Sequence, residues 1–158
     1  LLTFTLGYDG ATRSLYSLGF EERKGSIRTV LKQHQGNNYS RVSTLLSYPG
    51  EDSEATLVID KETSRVFTSL GYGDVHMFTW DGFTTLEKVE HIPRKLYTHE
   101  GLLYSLNGDS SISVWDIQNG KLIMTLYLFE NSSWAITFSD GSFYATEDAR
   151  QWIHTVSQ

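Results

Sequence analysis

Gly108-Asp109-Ser110-Ser111-Ile112-Ser113-Val114-Trp115-Asp116-Ile117-Gln118-Asn119-Gly120-Lys121 is the segment from which the architecture of this chain can be worked out. Ser111–Val114 alternates small polar with apolar side chains at the period of two that marks a half-buried strand, and Trp115 closes the run. Asn119-Gly120 supplies the positive-φ positions that a tight hairpin requires, so the chain returns as a strand over Lys121–Leu126. Upstream, Asn107–Ser110 reads as a turn, Leu102–Leu106 as a strand, Glu100-Gly101 as a second turn and Arg94–Thr98 as a further strand. One antiparallel four-stranded unit therefore occupies residues 94–126.

The unit recurs. Ser14-Leu15-Tyr16-Ser17-Leu18-Gly19, Val66-Phe67-Thr68-Ser69-Leu70-Gly71, Leu102-Leu103-Tyr104-Ser105-Leu106-Asn107 and Ser142-Phe143-Tyr144-Ala145-Thr146-Glu147 resemble one another, with spacings of 52, 36 and 40 residues between Tyr16, Thr68, Tyr104 and Tyr144. The last two spacings lie near the period of about 40–45 residues of four-stranded β-propeller blades. The surplus in the first sits in polar stretches, Gln33–Tyr39 and Pro49–Glu54, which read as longer loops. The second unit is expected at Thr56–Asp60, Arg65–Leu70, Val75–Trp80 and Thr84–Val89, with Asp81-Gly82 as its last turn. The first is expected at Leu2–Leu6, Arg13–Leu18, Ser26–Lys32 and Arg41–Leu46. The fourth is expected at Trp134–Phe138, Ser142–Thr146 and Gln151–Val156, without an outer strand. The fold class that follows is all-β: one β-propeller segment of about four blades, at 1–48, 55–90, 93–127 and 133–158, the last incomplete. Each blade has to stack on a neighbour to bury its faces. The start of the chain inside a repeat leads to the expectation that it is part of a longer protein.

The order of turn Asp, alternating strand, Trp-Asp and Asn-Gly-Lys in residues 108–121 resembles a WD repeat. In that family the turn Asp and the strand Trp join a hydrogen-bonded network with a Ser or Thr of the preceding strand and an upstream His. The resemblance assigns those places to Asp109, Trp115 and Ser105, and the same Asp-to-Trp spacing recurs at Asp74 and Trp80. The Gly-His pair of the family is missing, and His91 falls a few positions out of register. In the fourth unit the spacing from Asp148 reaches His154, and Trp152 faces the other way. Quinoprotein-like blades also carry a Leu-Tyr strand and an Asn-Gly-Lys-like turn, but they place a Trp after that turn, and Leu122–Leu126 has none. The WD resemblance is therefore preferred. It implies a non-enzymatic interaction module that binds protein or peptide through the disc face bearing the connections between units. Phe20, Arg23, Tyr72, Arg94, Phe129 and Arg150 are the expected interaction residues there, since aromatics and Arg anchor interfaces.

Composition agrees with this class. Of 158 residues 39% are hydrophobic and 13% aromatic, while proline occurs only at Pro49 and Pro93, which suits pleated, half-buried strands. No apolar run approaches the roughly 20 residues of a membrane helix, so no membrane partner is expected. No targeting signal is visible at Leu1-Leu2-Thr3-Phe4. Cysteine is absent, which excludes disulfides, thiolate metal sites and cysteine nucleophiles. A cysteine-free chain suits either cytoplasm or periplasm, and the expected location is the cytoplasm, with the periplasm or another compartment as the alternative. Net charge is −6, and Arg23-Lys24 is largely cancelled by Glu21-Glu22, so the sustained positive stripe of a nucleic-acid groove is missing.

No catalytic constellation emerges. His34, His76, His91, His99 and His154 show no metal-ligand spacing. Glu51-Asp52 with Glu54, and Glu147-Asp148, lack the ordered spacing of a calcium loop and read as solvated turns. Gly71-Tyr72-Gly73 has no following helix to present to a phosphate, and no Gly-x-Ser-x-Gly elbow occurs. Phe67, Tyr104, Phe143 and Tyr144 read as inter-blade core. The expected cofactors, metals and catalytic residues are none. The alternatives kept are a small-molecule- or cation-binding propeller, catalytic or not, and structural blades that complete a larger or dimeric ring. For the latter, the unpaired blade edge at Gln151–Val156 offers self-association.

Overall fold

The computed structural model describes residues 2–52, 54–70, 73–79, 81–89 and 91–151. Three antiparallel sheets follow one another along the chain. Sheet 1 contains β1 (Leu2–Asp9), β2 (Ser14–Arg23), β3 (Ser26–Gln35) and β4 (Arg41–Pro49), in that order. Sheet 2 contains β5 (Thr56–Ile59), β6 (Val66–Leu70), β7 (Asp74–Thr79) and β8 (Gly82–Thr85). Sheet 3 runs through β9 (Pro93–His99), β10 (Leu102–Asn107), β11 (Ile112–Asp116), β12 (Leu122–Leu128), β13 (Trp134–Phe138) and β14 (Phe143–Ala145), and is followed by the single-turn helix α1 (Glu147–Arg150). Among the described residues no helix is long and apolar enough to cross a membrane.

Turn chemistry sets these registers. Lys24-Gly25 (φ 53° and 76°) and Glu100-Gly101 (φ 47° and 77°) are two-residue loops with both residues left-handed, closing Arg23 on Ser26 and His99 on Leu102. Such loops match the right-handed twist of the strands they join. Aspartates close the longer turns. Asp9 accepts from the Ala11 N–H at 3.1 Å and the Thr12 hydroxyl at 2.5 Å, and Asp60 accepts from the Thr63 N–H and hydroxyl. Asp116, the acidic half of the Trp-Asp pair, accepts from the Gln118 N–H and the Asn119 side chain and so holds the hairpin around Gly120.

Two expectations are corrected. The last strand of sheet 2 begins at Gly82, which pairs with Thr79, and ends at Thr85 instead of reaching Val89. After one further bond, from the Leu86 N–H to the Val75 carbonyl at 2.8 Å, the chain leaves the ladder, and Leu86 and Val89 are buried in the core shared with sheet 3. The segment assigned to a fourth blade extends sheet 3 instead: β13 pairs with β12 from Met124↔Phe138 to Leu128↔Trp134. The intervening loop is curled into a 3-10 turn, with Asn131 and Ser132 left-handed and the Phe129 N–H bonded to the Ser133 carbonyl at 2.9 Å. So short a connection returns the chain as an antiparallel neighbour and does not carry it back to the inner edge. Gln151 ends α1 in right-handed helical conformation, and the rest of the strand expected at Gln151–Val156, with Trp152 and His154, lies outside the described residues.

Stacking of the sheets makes two cores. Tyr16, Leu18 and Leu31 of sheet 1 meet Val66, Leu70 and Phe78 of sheet 2, with Leu57 and Ile59 packed against them. The opposite face of sheet 2, with Phe67, Val75 and Met77, meets Leu96, Leu103 and Trp115 of sheet 3. Phe67 is thus core as expected, whereas Tyr104 is half-buried and Tyr144 exposed, since among the described residues no sheet lies over the sheet 3 face that carries them; Phe143, on the other face opposite Thr137, is exposed as well.

Gly7 marks a close approach of sheets 1 and 2: a Cβ there would stand 2.8 Å from Ile59 Cδ1 and 3.3 Å from Leu57 Cδ2. Gly7→Val is expected to cost about 1–3 kcal/mol through overpacking, while Gly10→Ala, which meets only the Tyr8 ring at 3.8 Å, stays within about 0.5 kcal/mol of the parent. Urea midpoints of the two variants measure this.

Candidate functional site

Sheet 3 carries a continuous polar network on the face turned towards sheet 2. Register brings Ser105 opposite Ser113 and Ser113 opposite Thr125. Their hydroxyls are buried and need partners. Asn107 supplies most of them. Its Oδ1 accepts from Ser105 Oγ at 2.6 Å, and its Nδ2 donates to Ser111 Oγ and Ser113 Oγ, both at 2.9 Å. Ser113 and Thr125 share a further bond at 3.2 Å. Ser111 donates its hydroxyl at 2.7 Å and its N–H at 3.0 Å to Asp109 Oδ1, and His91 Nε2 lies 3.1 Å from Asp109 Oδ2.

Three residues differ from the sequence expectation. His91 does reach Asp109: the register skips a residue where Asn107 pairs with Pro93, and the Gly108 N–H bonds to the Ile92 carbonyl, which draws the segment before β9 over the Asp109 turn. Trp115 is outside the network. It stands opposite Leu103, not Ser105, and its indole N–H donates to the Glu87 carbonyl at 2.9 Å. Asn107, which sequence reading took only for the start of a turn, is the hub. Its signal was its place two residues after Ser105 on the same strand face. In sheet 2 the matching Asp74 opens β7 and is half-exposed, 3.7 Å from Lys88 Nζ. Trp80 lies outside the described residues.

The six expected interaction residues are distributed as follows. Phe20 is within β2 and half-buried, because the β2–β3 hairpin extends to Arg23 before turning. Arg23 is exposed at its tip and Arg150 is exposed on α1. Arg94 is in β9, not a connection, and its guanidinium lies 3.3 Å from Glu54 Oε1. Phe129 begins the curled loop before β13 and is half-buried. Tyr72 lies outside the described residues. Among the described residues no three His, Asp or Glu side chains cluster at metal-binding separation.

A cavity of about 850 Å³ opens between the outer strands of sheets 1 and 2. Tyr16, Gln33, Gln35, Thr44 and Leu45 form one wall, and Arg65, Val66, Phe78, Thr79, Asp81 and Phe83 form the other. Gln33 Nε2 donates to Tyr16 OH at 3.0 Å and Ser14 Oγ at 3.3 Å, and Gln35 Nε2 donates to Ser14 Oγ at 3.1 Å. Phe83 is 58% exposed and stacks on Phe78 with ring centroids 5.6 Å apart. Asp81 accepts from the Thr79 hydroxyl, and Arg65 Nη1 donates to the Ile117 carbonyl at 2.5 Å. Burial raises the Tyr16 phenol above its ordinary value, against hydrogen bonds from Ser14 and Gln33 that lower it. A smaller cavity of about 360 Å³ lies beside the network, lined by Lys88, His91, Ser113, Thr125, Tyr127 and Thr137 among others.

No known family model matches the sequence, and no curated protein sequence does. Among solved structures, HIRA(644-1017) is similar at a TM-score of 0.54 and 14% identity, over 95% of this chain and 54% of that one. The chain thus spans about half the length of that structure. The WD40 beta propeller domain of Doa1 matches at a TM-score of 0.46 and 14% identity, over 90% of this chain and 64% of that one. The computationally designed Ika4 protein matches at 0.45 and 19%, over 80% and 88%. The first likeness, together with the sheet order, shows an all-β fold of propeller-type blades.

Two outcomes are expected. Trp115→Phe leaves the Glu87 carbonyl without its donor and lowers stability by about 1–3 kcal/mol in urea unfolding. Burial works to raise the Asp109 carboxyl, but the Ser111 hydroxyl and N–H and the charge of His91 outweigh it and hold the group below its ordinary value. A lowered carboxyl stabilises the fold above its unfolded value of about 3.9, and that share is lost as pH falls through the lower folded value. Asp109→Asn is therefore less stable than the parent near neutrality and shows a shallower loss below about pH 4, read from urea midpoints along a pH series.

Proposed function

We propose that this chain is a non-enzymatic interaction module that docks another polypeptide on the outward face of sheet 3. That face carries the reading. Register aligns Tyr97, Tyr104, Val114, Met124 and Phe138 in one row, and Leu106, Ile112, Leu126, Ile136 and Tyr144 in the next with Lys95 at its β9 end, and places Leu128 opposite Trp134 beside them. Tyr144 is 67% exposed and Tyr97 and Leu128 are each 58% exposed. A contiguous apolar patch of this kind marks an interaction surface, whereas single exposed apolar residues do not.

The occupant best matched to it is the apolar face of another β-sheet. Within the chain, one face of sheet 1 is covered by sheet 2, and the other face of sheet 2 by sheet 3. The outward face of sheet 3 holds the next place in that order. A non-enzymatic role is supported by the use made of the charged groups: Asp9, Asp60 and Asp116 hold turns, Asp109 holds His91, and Arg94 meets Glu54.

Photo-cross-linking tests this. Benzoylphenylalanine at position 97 or 144 is expected to cross-link to a second polypeptide. Capture only from positions 23 and 150 would transfer docking to the connection face, and capture from none of the four would overturn the proposal.

A further inference from the structure

We propose that the wedge between sheets 1 and 2 is a saccharide-binding site, in which Phe83 stacks on a pyranose ring and Gln33, Gln35 and Asp81 accept from its hydroxyls. This goes beyond the docking role and uses a different surface.

The argument begins with what the wedge can offer. Its walls are sheet faces, and the backbone N–H and C=O groups of β2, β3, β6 and β7 are engaged in their ladders. Over these four strands a ligand meets side chains only, whereas β4 and β8, which also line the wedge, are the edge strands of their sheets. The side chains fall into two kinds, on opposite walls. Sheet 1 presents amides and hydroxyls (Gln33, Gln35, Thr44) where a neighbouring sheet would ordinarily meet apolar residues. Both amide nitrogens already donate within sheet 1, and among the described residues neither amide oxygen accepts a hydrogen bond, which leaves two acceptors for a ligand. Sheet 2 presents the Phe78–Phe83 stack with the outer ring open to solvent.

The ligand that fits has an apolar face and a hydroxyl rim. A pyranose ring has both: its C–H face packs on an aromatic ring, whose face carries negative charge density, and each hydroxyl both donates and accepts. Arg65 and Asp81 balance one another among the lining residues, so the site selects neither an anion nor a cation. A volume of about 850 Å³ is within the range of small-molecule pockets and leaves room for more than one ring.

The test is saturation-transfer NMR and calorimetric titration of the chain with maltotriose, cellotriose and tri-N-acetylchitotriose, each up to about 10 mM. Saturable binding of at least one is expected, weakened about tenfold or more in Phe83→Ala and in Gln35→Ala, and kept in Phe83→Trp. Phe83 is mostly exposed, so its variants are expected to melt with the parent, and Gln35→Ala serves if they do not. No saturable binding by any of the three sugars overturns the proposal, as does binding that neither alanine variant weakens. An Ala-Leu-Lys tripeptide that shifts the resonances of residues lining the wedge while the sugars do not also overturns it, in favour of a peptide site. None of these results bears on the cross-links from positions 97 and 144.

Discussion

Burial of one sheet against the next is the constraint on which the rest of this structure depends. The middle strands are apolar on both faces: in β6, Phe67 faces sheet 3 while Val66 and Leu70 face sheet 1. A four-stranded sheet of this kind has no stable isolated form in water, because both faces expose apolar area. Two local features allow the sheets to come together. Gly7 removes the Cβ that would strike Ile59, and the connection after β8 drops Leu86 and Val89 into the second core. Trp115 then ties that connection to sheet 3 through the Glu87 carbonyl. Apolar burial and the satisfaction of one backbone acceptor are thus achieved by the same side chain.

Close packing of sheet 3 on sheet 2 also explains the polar network. Ser105, Ser113 and Thr125 are buried there, so their hydroxyls are bonded to one another and to Asn107. The chain of contacts ends at the surface on Asp109 and His91, where charge remains partly solvated. Deep members are neutral and the ionisable pair sits at the rim, which is the arrangement that the cost of burying charge favours.

The two ends of the stack differ in character. On the outward side of sheet 1, Ser17 meets His34 at 2.8 Å, Lys32 meets Glu21 at 3.0 Å and Arg28 Nε donates to Ser47 at 2.6 Å. That surface is suited to water, apart from Leu6, Tyr8 and Val42. The outward side of sheet 3 is mostly aliphatic and aromatic, with Lys95, His99 and Asp116 confined to its β9–β11 part. A head-to-tail association of two copies would press an ion-paired face onto an apolar one, leaving charges desolvated without new partners. The asymmetry favours a partner different from the free end of sheet 1.

Much of the fold was legible from the residues. Strand alternation at Ser111–Val114, the Glu100-Gly101 and Asn119-Gly120 turns and the recurring Leu-Tyr-Ser strands are determined by neighbours within a few positions, so sequence alone located the strands of sheet 3 to within two residues. It also established that Asp109 belongs to a turn and Ser105 to the adjoining strand. Which side chains meet was another matter. A one-residue shift at Asn107 brought His91 to Asp109 and made the asparagine the hub, and the Leu103–Trp115 pairing sent the indole to Glu87. The curled loop at Phe129–Ser133 joined β13 to sheet 3. The wedge unites Gln33 and Phe83, fifty residues apart. Alternation and turn preference act through adjacent bonds and can be read along the chain, whereas register shifts and the stacking of faces depend on contacts between distant segments, which only the tertiary structure decides.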